Sequence, residues 1–209
     1  MGVINKPPQF VRRLMDKCNW KLRTSERTIF LTFDDGPTPE ITDWVLCLLK
    51  KYNAKATFFC LGRNVDHYPE IYARILANGH SVGNHTYSHL NGWKSSFDEY
   101  SNDVVLASEY IDSKLFRFPY GRITPKQYKY VLSQGYKIVL WDVMPEDYNK
   151  RIAPEKCFSL VKRYIEDGSI IVFHDSKKAS RNLQYTLPLV LEYYTKLGFK
   201  FEKINLSDL

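Results

Sequence analysis

Two short strings hold residue types that can work together as a hydrolytic centre. Thr32-Phe33-Asp34-Asp35-Gly36-Pro37 sets two carboxylates side by side at the exit of an apolar run, Ile29 to Phe33. His85-Thr86-Tyr87-Ser88-His89 spaces two imidazoles at i and i+4, one face of a helix if the segment is helical. One carboxylate and two imidazoles are a three-ligand set for a divalent metal that leaves room for water, with a carboxylate to spare as a base. Each string also has a plain reading. Asp, Gly and Pro are turn residues, and an HxxxH pair arises by chance. Adjacent carboxylates repel one another, however, and a cation offsets that repulsion.

Three later strings add to the set. Arg117-Phe118-Pro119-Tyr120-Gly121 ends a short apolar run, and an arginine entering a barrel interior needs an anionic partner. It is either a structural ion pair or the group that holds the spare carboxylate ionised. Trp141 to Tyr148 is acid-rich and reads either as a solvated loop or as a source of carboxylates for the site. Ile170-Ile171-Val172-Phe173-His174 places a histidine at the end of a very apolar run. His174 is thus a candidate general acid, given a carboxylate such as Asp147 to orient it. His80 lies off the helical face of His85 and reads as a core or hydrogen-bonding histidine. His67, among Asp66, Tyr68 and Pro69, reads as a surface residue.

These residues must be carried by regular elements. Strand-like runs fall at 28–33, 56–61, 115–118, 137–141, 169–173 and 199–204. Helical patterns fall at 39–52, with Thr38 as N-cap and Pro39 in the first position, and at 69–77, ended by Asn78-Gly79. Others cover 96–111, 124–134 with Gly135 as stop, 154–165, and 187–197 with Gly198 as stop. Strands alternating with helices in this way predict an α/β fold with a mainly parallel sheet. No dinucleotide glycine fingerprint or phosphate loop appears, so a distorted, TIM-like (β/α) barrel fits better than an open nucleotide-binding sheet. Asp34 and Asp35, Tyr120, the acids from Asp142 to Asp147, and His174 all follow strands, which is the face where α/β barrels gather their chemistry.

A chain of 209 residues is one domain, here read as an N-terminal extension, 1–26, followed by a domain over 27–209. In the extension Phe10, Val11, Leu14, Met15 and Cys18 recur at helical spacing opposite Arg12, Arg13, Asp16 and Lys17. That helix is expected to cap the open end of the fold; the rival is a basic amphipathic helix lying on a membrane. Aromatic residues reach 15%, which suits either an aromatic core or a cleft that stacks on sugar rings. The net charge of +7 is scattered and no nucleic-acid module is present, so nucleic acid is not an expected partner. Cys18, Cys47, Cys60 and Cys157 form no CxxC pair, and Cys47 and Cys60 read as reduced core residues. The start, Met1 to Pro8, lacks a long apolar stretch, and no later run spans a bilayer. A cytoplasmic location is the expectation, or an extracytoplasmic one if a leader is missing.

With these strings in order, residues 27 to 205 resemble the polysaccharide deacetylases of carbohydrate esterase family 4, which share the NodB homology domain. The resemblance implies a distorted (β/α) barrel and a role for each matching residue. Asp34 matches the catalytic base, and Asp35, His85 and His89 match the ligands of a divalent ion, zinc first and cobalt second. Arg117 matches the partner of the base, and Tyr120 the residue whose backbone N–H stabilises the oxyanion. Asp147 matches the carboxylate that tunes the catalytic histidine, and His174 that histidine. The expected reaction is removal of N-acetyl groups from a glycan substrate containing N-acetylhexosamine. O-acetyl ester cleavage on xylan or another glycan is the alternative within enzymes, and a non-catalytic carbohydrate-binding domain the alternative outside them. Two departures fall at the acyl pocket. Met144-Pro145-Glu146-Asp147-Tyr148 stands where the family commonly has Asp-x-x-Asp-Trp, and Val172 where it has Leu.

Overall fold

The computed structural model describes residues 5–209. Residues 1–4, which open the expected extension, lie outside the described residues. In chain order the elements are α1 (Gln9–Leu14), β1 (Cys18–Asn19), β2 (Thr28–Asp34), α2 (Ile41–Lys51), β3 (Ala56–Cys60), α3 (Gly62–His67), α4 (Pro69–Ala77) and β4 (Ser81–Asn84). They continue with α5 (Phe97–Ser108), β5 (Leu115–Phe116), α6 (Pro125–Ser133), β6 (Lys137–Val139), α7 (Pro154–Tyr164), β7 (Ile170–His174), α8 (Ser180–Lys196) and β8 (Lys200–Phe201). The strand order is β1-β6-β5-β4-β3-β2-β7, with β8 added to β2, and every ladder is parallel. Isolated bridges draw the ends together, Val143 beside Ile171 and Lys21 beside Ser169. The sheet is therefore a distorted, incompletely closed barrel, as expected from the run of alternating elements.

β2 shows how sequence becomes layers. All seven residues are buried, as in a strand covered on both faces. Alternation sends Ile29, Leu31 and Phe33 into the core beneath α2 and α8, where Phe33 stacks on Phe58 at 5.0 Å and on Phe173 at 6.1 Å. The other parity sends Phe30, Thr32 and Asp34 into the barrel. One strand thus anchors the core and delivers a carboxylate to the interior. Capping boxes begin α5 (Ser96 with Glu99) and α6 (Thr124 with Gln127), while Gly79 and Gly135, at φ 77° and 78°, follow the ends of α4 and α6.

Several local expectations are corrected. α2 begins at Ile41, because Glu40 turns left-handed at φ 67°. The Thr38 carbonyl accepts from Thr42, and no side-chain cap is made. α8 starts at Ser180, seven residues before the expected Leu187, and runs through Pro188. Asn182, Leu183, Thr186 and Leu187 bury one continuous face, which outweighs the hydrogen bond lost at the proline. β4 and α3 give weak patterns because both are short. Cys47 is exposed, unlike Cys60, since the buried stripe of α2 runs through Ile41, Val45, Leu46 and Leu49 and leaves position 47 outside it. No helix among the described residues is long and apolar enough to cross a membrane.

The N-terminal helix is also shorter than its pattern, because Cys18 joins β1 beside Ile138. Phe10 and Leu14 stand 64% and 78% exposed. Cys18 is buried with Met15 and Trp20 packed beside it, and polar contacts bind the rest of the segment. Arg12 Nη2 lies 2.5 Å from Asp142 Oδ1 and its Nε donates to the Pro7 carbonyl. Asn5 exchanges hydrogen bonds with the backbone of Met144 and donates to Glu146. Asp142 is buried, and its other oxygen accepts from Ser169. Arg12→Ala should cost up to about 3 kcal/mol, the low end for breaking a buried ion pair, because Arg12 retains partial contact with water. Denaturant unfolding measures this. Lys196→Ala, which breaks an exposed pair with Glu192, should leave the unfolding midpoint close to that of the parent.

Candidate active site

Asp34 ends β2, and parallel register sets it beside His174 at the end of β7 and Phe59 of β3. Its Oδ1 accepts from Arg117 Nη1 at 2.7 Å. Arg117 follows β5 and is fully buried, yet each of its three nitrogens donates. Nη1 also reaches Thr32 Oγ1, Nε the Val139 carbonyl and Nη2 the Leu140 carbonyl, while Phe59 lies 4.1 Å beneath the guanidinium. Burial pulls the guanidinium down from its ordinary value, and Asp34 opposes the shift.

Asp35 is turned away from Asp34 by a left-handed backbone, φ 79°. Ligand atoms of Asp35, His85 and His89 all lie within 4.8 Å of one another. His89 Nε2 stands 3.1 Å and His85 Nε2 3.8 Å from Asp35 Oδ1, which is buried and makes no hydrogen bond. His85 Nδ1 donates to the Arg117 carbonyl at 2.7 Å, which leaves its Nε2 lone pair facing the two carboxylates. Burial lowers the His85 pKa to about 4 despite Asp34, so the ring is neutral, as a metal ligand must be. For Asp35, burial acts to raise the carboxyl, but the surrounding imidazoles outweigh it and hold the group below the usual carboxylate range. An unpartnered carboxylate oxygen facing two imidazoles fits a divalent ion bound by Asp35, His85 and His89.

The histidines do not meet through a helix. Residues 85–90 form an irregular loop after β4, with Thr86 and His89 left-handed at φ 66° and 64°. Side chains fold it. Asn84 Oδ1 accepts from the Thr86 N–H, Thr86 Oγ1 from His89, and Asp103 from the N–H groups of Tyr87 and Ser88. Short polar residues compete here with helical bonding. His80 is buried and accepts from the Ala56 N–H, and His67 is exposed; neither joins the site.

Across the cleft, Asp147 grips His174 twice, through the backbone N–H and through Nδ1, each at 2.8 Å. Burial acts to lower the His174 pKa, but Asp147 and the more distant carboxylates raise it to about 9. Tyr148 meets the ring edge-on at 5.0 Å, and its hydroxyl lies 3.7 Å from Met144 Sδ. Tyr120 is left-handed at φ 60°, and its ring lies 4.5 Å from that of His89. The cleft between these groups measures about 380 Å³, and Val11, Met15 and Trp20 of the N-terminal segment form part of its wall.

Six of the eight expected residues, Asp34, Asp35, His85, His89, Tyr120 and His174, line one cleft, and Arg117 and Asp147 lie buried behind it, bonded to Asp34 and His174. Three supporting residues carry no clear mark in the sequence. Asn64 donates to the Asp35 carbonyl. Asp103 shapes the histidine loop. Asp175 is buried against Gly36, where a Cβ would collide with its carboxyl, and it accepts from Thr42 Oγ1 at 2.6 Å. Burial raises the Asp175 pKa to about 8. Its position directly after His174 is the only signal it offers.

A family model for polysaccharide deacetylase matches residues 21–139. The chain belongs to this family. It is 40% identical over 154 residues to a peptidoglycan-N-acetylglucosamine deacetylase of Bacillus cereus, an alignment that covers 71% of this chain and 56% of that relative's length. A second relative of the same name and organism is 32% identical over 193 residues, covering 89% of this chain and 90% of the relative. The crystal structure of the Bc1960 peptidoglycan N-acetylglucosamine deacetylase superposes with a TM-score of 0.84 at 32% identity, over 93% of this chain and 94% of that one. The polysaccharide deacetylase assignment agrees with the barrel and with the order of motifs around its mouth.

Two measurements follow from the geometry. After loading with a divalent ion and dialysis, His85→Ala and Asp35→Ala should each retain less metal than the parent, whereas His67→Ala retains as much; metal analysis checks this. In the metal-free protein the His174 ring should titrate near 9, above its ordinary 6.5. The charged ring is the form the fold favours, so its stabilisation is complete below about 6.5 and fades as pH rises through about 9. Asp147→Asn should move the titration down, as burial then dominates, with NMR of the imidazole as the readout.

Proposed function

We propose that this polysaccharide deacetylase removes N-acetyl groups from a glycan containing N-acetylhexosamine, by metal-assisted hydrolysis of the amide. One observation carries the reading: a carboxylate locked by a buried arginine and a histidine gripped by a carboxylate stand on neighbouring strands, flanking an Asp/His/His ligand set. The names of the two Bacillus cereus relatives support the N-acetyl amide as the bond attacked.

Asp35, His85 and His89 hold the ion, zinc in preference to cobalt, and when bound it supplies Lewis acidity toward the carbonyl and toward water. Asp34 takes the proton of the attacking water. Arg117 fixes this carboxylate in direction. The backbone N–H of Tyr120 donates to the oxyanion that develops on the carbonyl oxygen. His174, charged at neutral pH, gives its Nε2 proton to the departing amine, which is a poor leaving group without one. Asp147 occupies Nδ1 and so leaves Nε2 as the donor. The amide reading is preferred to the O-acetyl ester because a raised histidine pKa serves an amine, whereas an alkoxide leaves with less help. It is preferred to a binding module because binding has no use for an acid and a base on opposite sides of a ligand set. Tyr148 and Val172 stand at the positions that line the family's acyl pocket, and Met144 lies against the Tyr148 hydroxyl.

Asp34→Asn keeps shape and removes basicity. Its metal content should match the parent, while acetate release from N-acetylglucosamine oligomers falls by on the order of 10²–10⁴. Release at the parent rate would exclude Asp34 as the base. No release by the metal-loaded parent from N-acetylated or O-acetylated glycans would favour the binding-module reading.

A further inference from the structure

A second depression, about 310 Å³, adjoins the cleft and is lined by Lys150, Lys177, Lys178, Ser180, Arg181 and Asn182. Four of the six are cations, and no acid lines it. Among the described residues none of the four pairs with a carboxylate. Other exposed lysines do find partners, as Lys196 does with Glu192 and Lys200 with Glu26. Like charges around one concavity repel each other, and an anion relieves that cost. The first turn of α8 supplies Ser180, Arg181 and Asn182, so the positive end of a 17-residue helix adds charge of the same sign.

Two features tie this pocket to the reaction. Lys178 lines both the depression and the catalytic cleft, and its ammonium lies 5.2 Å from the Tyr148 ring. Asn182, only 2% exposed, donates through Nδ2 to the carbonyls of Asp147 and Asn149, in the loop that grips His174. Asn182 thereby joins the pocket wall to the loop that orients His174.

We propose that this pocket receives a carboxylate or phosphate substituent of the glycan whose acetamide lies at the Asp35/His85/His89 centre. The cations neutralise the anion. The enzyme therefore prefers glycans that carry negative charge close to the N-acetylated sugar. This inference rests on the deacetylase reading for its substrate but not for its pocket.

The test compares three oligosaccharides of equal length on the metal-loaded protein: neutral N-acetylglucosamine oligomers, the same oligomers bearing a carboxylate substituent, and the same bearing a phosphate. In the parent, KM should be lower for at least one charged form, and salt should raise that KM. The double variant Lys177→Gln/Arg181→Gln should raise it on the order of tenfold with kcat little changed, and leave the neutral oligomer unaffected. The separate carboxylate and phosphate arms identify which anion the pocket takes. Equal KM values for neutral and charged forms in the parent, or an equal rise for all three in the variant, would overturn the proposal. If the parent releases no acetate from any of them, the deacetylase reading fails, and calorimetric binding of the same oligosaccharides decides the pocket. A charged-form preference present in the parent and lost in the double variant supports it; no preference in the parent overturns it.

Discussion

The buried guanidinium of Arg117 is the contact on which this site depends. It sits inside the barrel with no access to water, and ordinary solvation is replaced by a carboxylate, a hydroxyl, two carbonyls and an aromatic face. Those partners belong to β2, β3 and the end of β6, and Thr32 passes the linkage to β7 through the Ile171 carbonyl. Loss of one partner from such a pair leaves an uncompensated charge and costs about 3–5 kcal/mol. The interior therefore accepts Asp34 in one position. The carbonyl of the same residue orients His85. One side chain and its own backbone thus align a base and a metal ligand.

Around this anchor the chain accepts strain where chemistry is expected. Of the seven non-glycine residues with positive φ among those described, five are Asp35, Thr86, His89, Tyr120 and Glu146. Each costs of order 1–3 kcal/mol and persists only if its surroundings hold it. The holding contacts are identifiable. Asn64 secures Asp35, Asp103 and Asn84 secure the histidine loop, and Asn5 and Asn149 secure Glu146. Left-handed turns aim side chains from consecutive residues in different directions, which is how adjacent aspartates serve two purposes.

The loop from Asp142 to Tyr148 is held from three sides: by Arg12 and Asn5 from the N-terminal segment, by Ser169 before β7, and by Asn182 from α8. Its product is the fixed direction of Asp147, and through it of His174. The same contacts bring Val11, Met15 and Trp20 to the cleft wall, so the segment before β2 is part of the cleft as well as part of the loop's support.

Local pattern was enough for much of this. The apolar run of β2, the capping boxes of α5 and α6 and the glycine after α4 and α6 are short-range signals. The order of DDGP, HTYSH, RFPYG and the strand ending in His174 marks the family, and each chemical residue sits at a strand exit that the pattern locates. Tertiary structure decided what depends on distant partners. Residues 85–90 are a loop because Asp103, far along the chain, accepts their N–H groups. α8 runs through Pro188 because its buried face repays the lost hydrogen bond. The N-terminal segment is placed by an ion pair 130 residues away in sequence. The unpaired cations around the start of α8 come to lie beside the cleft only once the barrel has formed. None of these is a periodicity or a cap, since each is energy exchanged between groups that only the fold brings together.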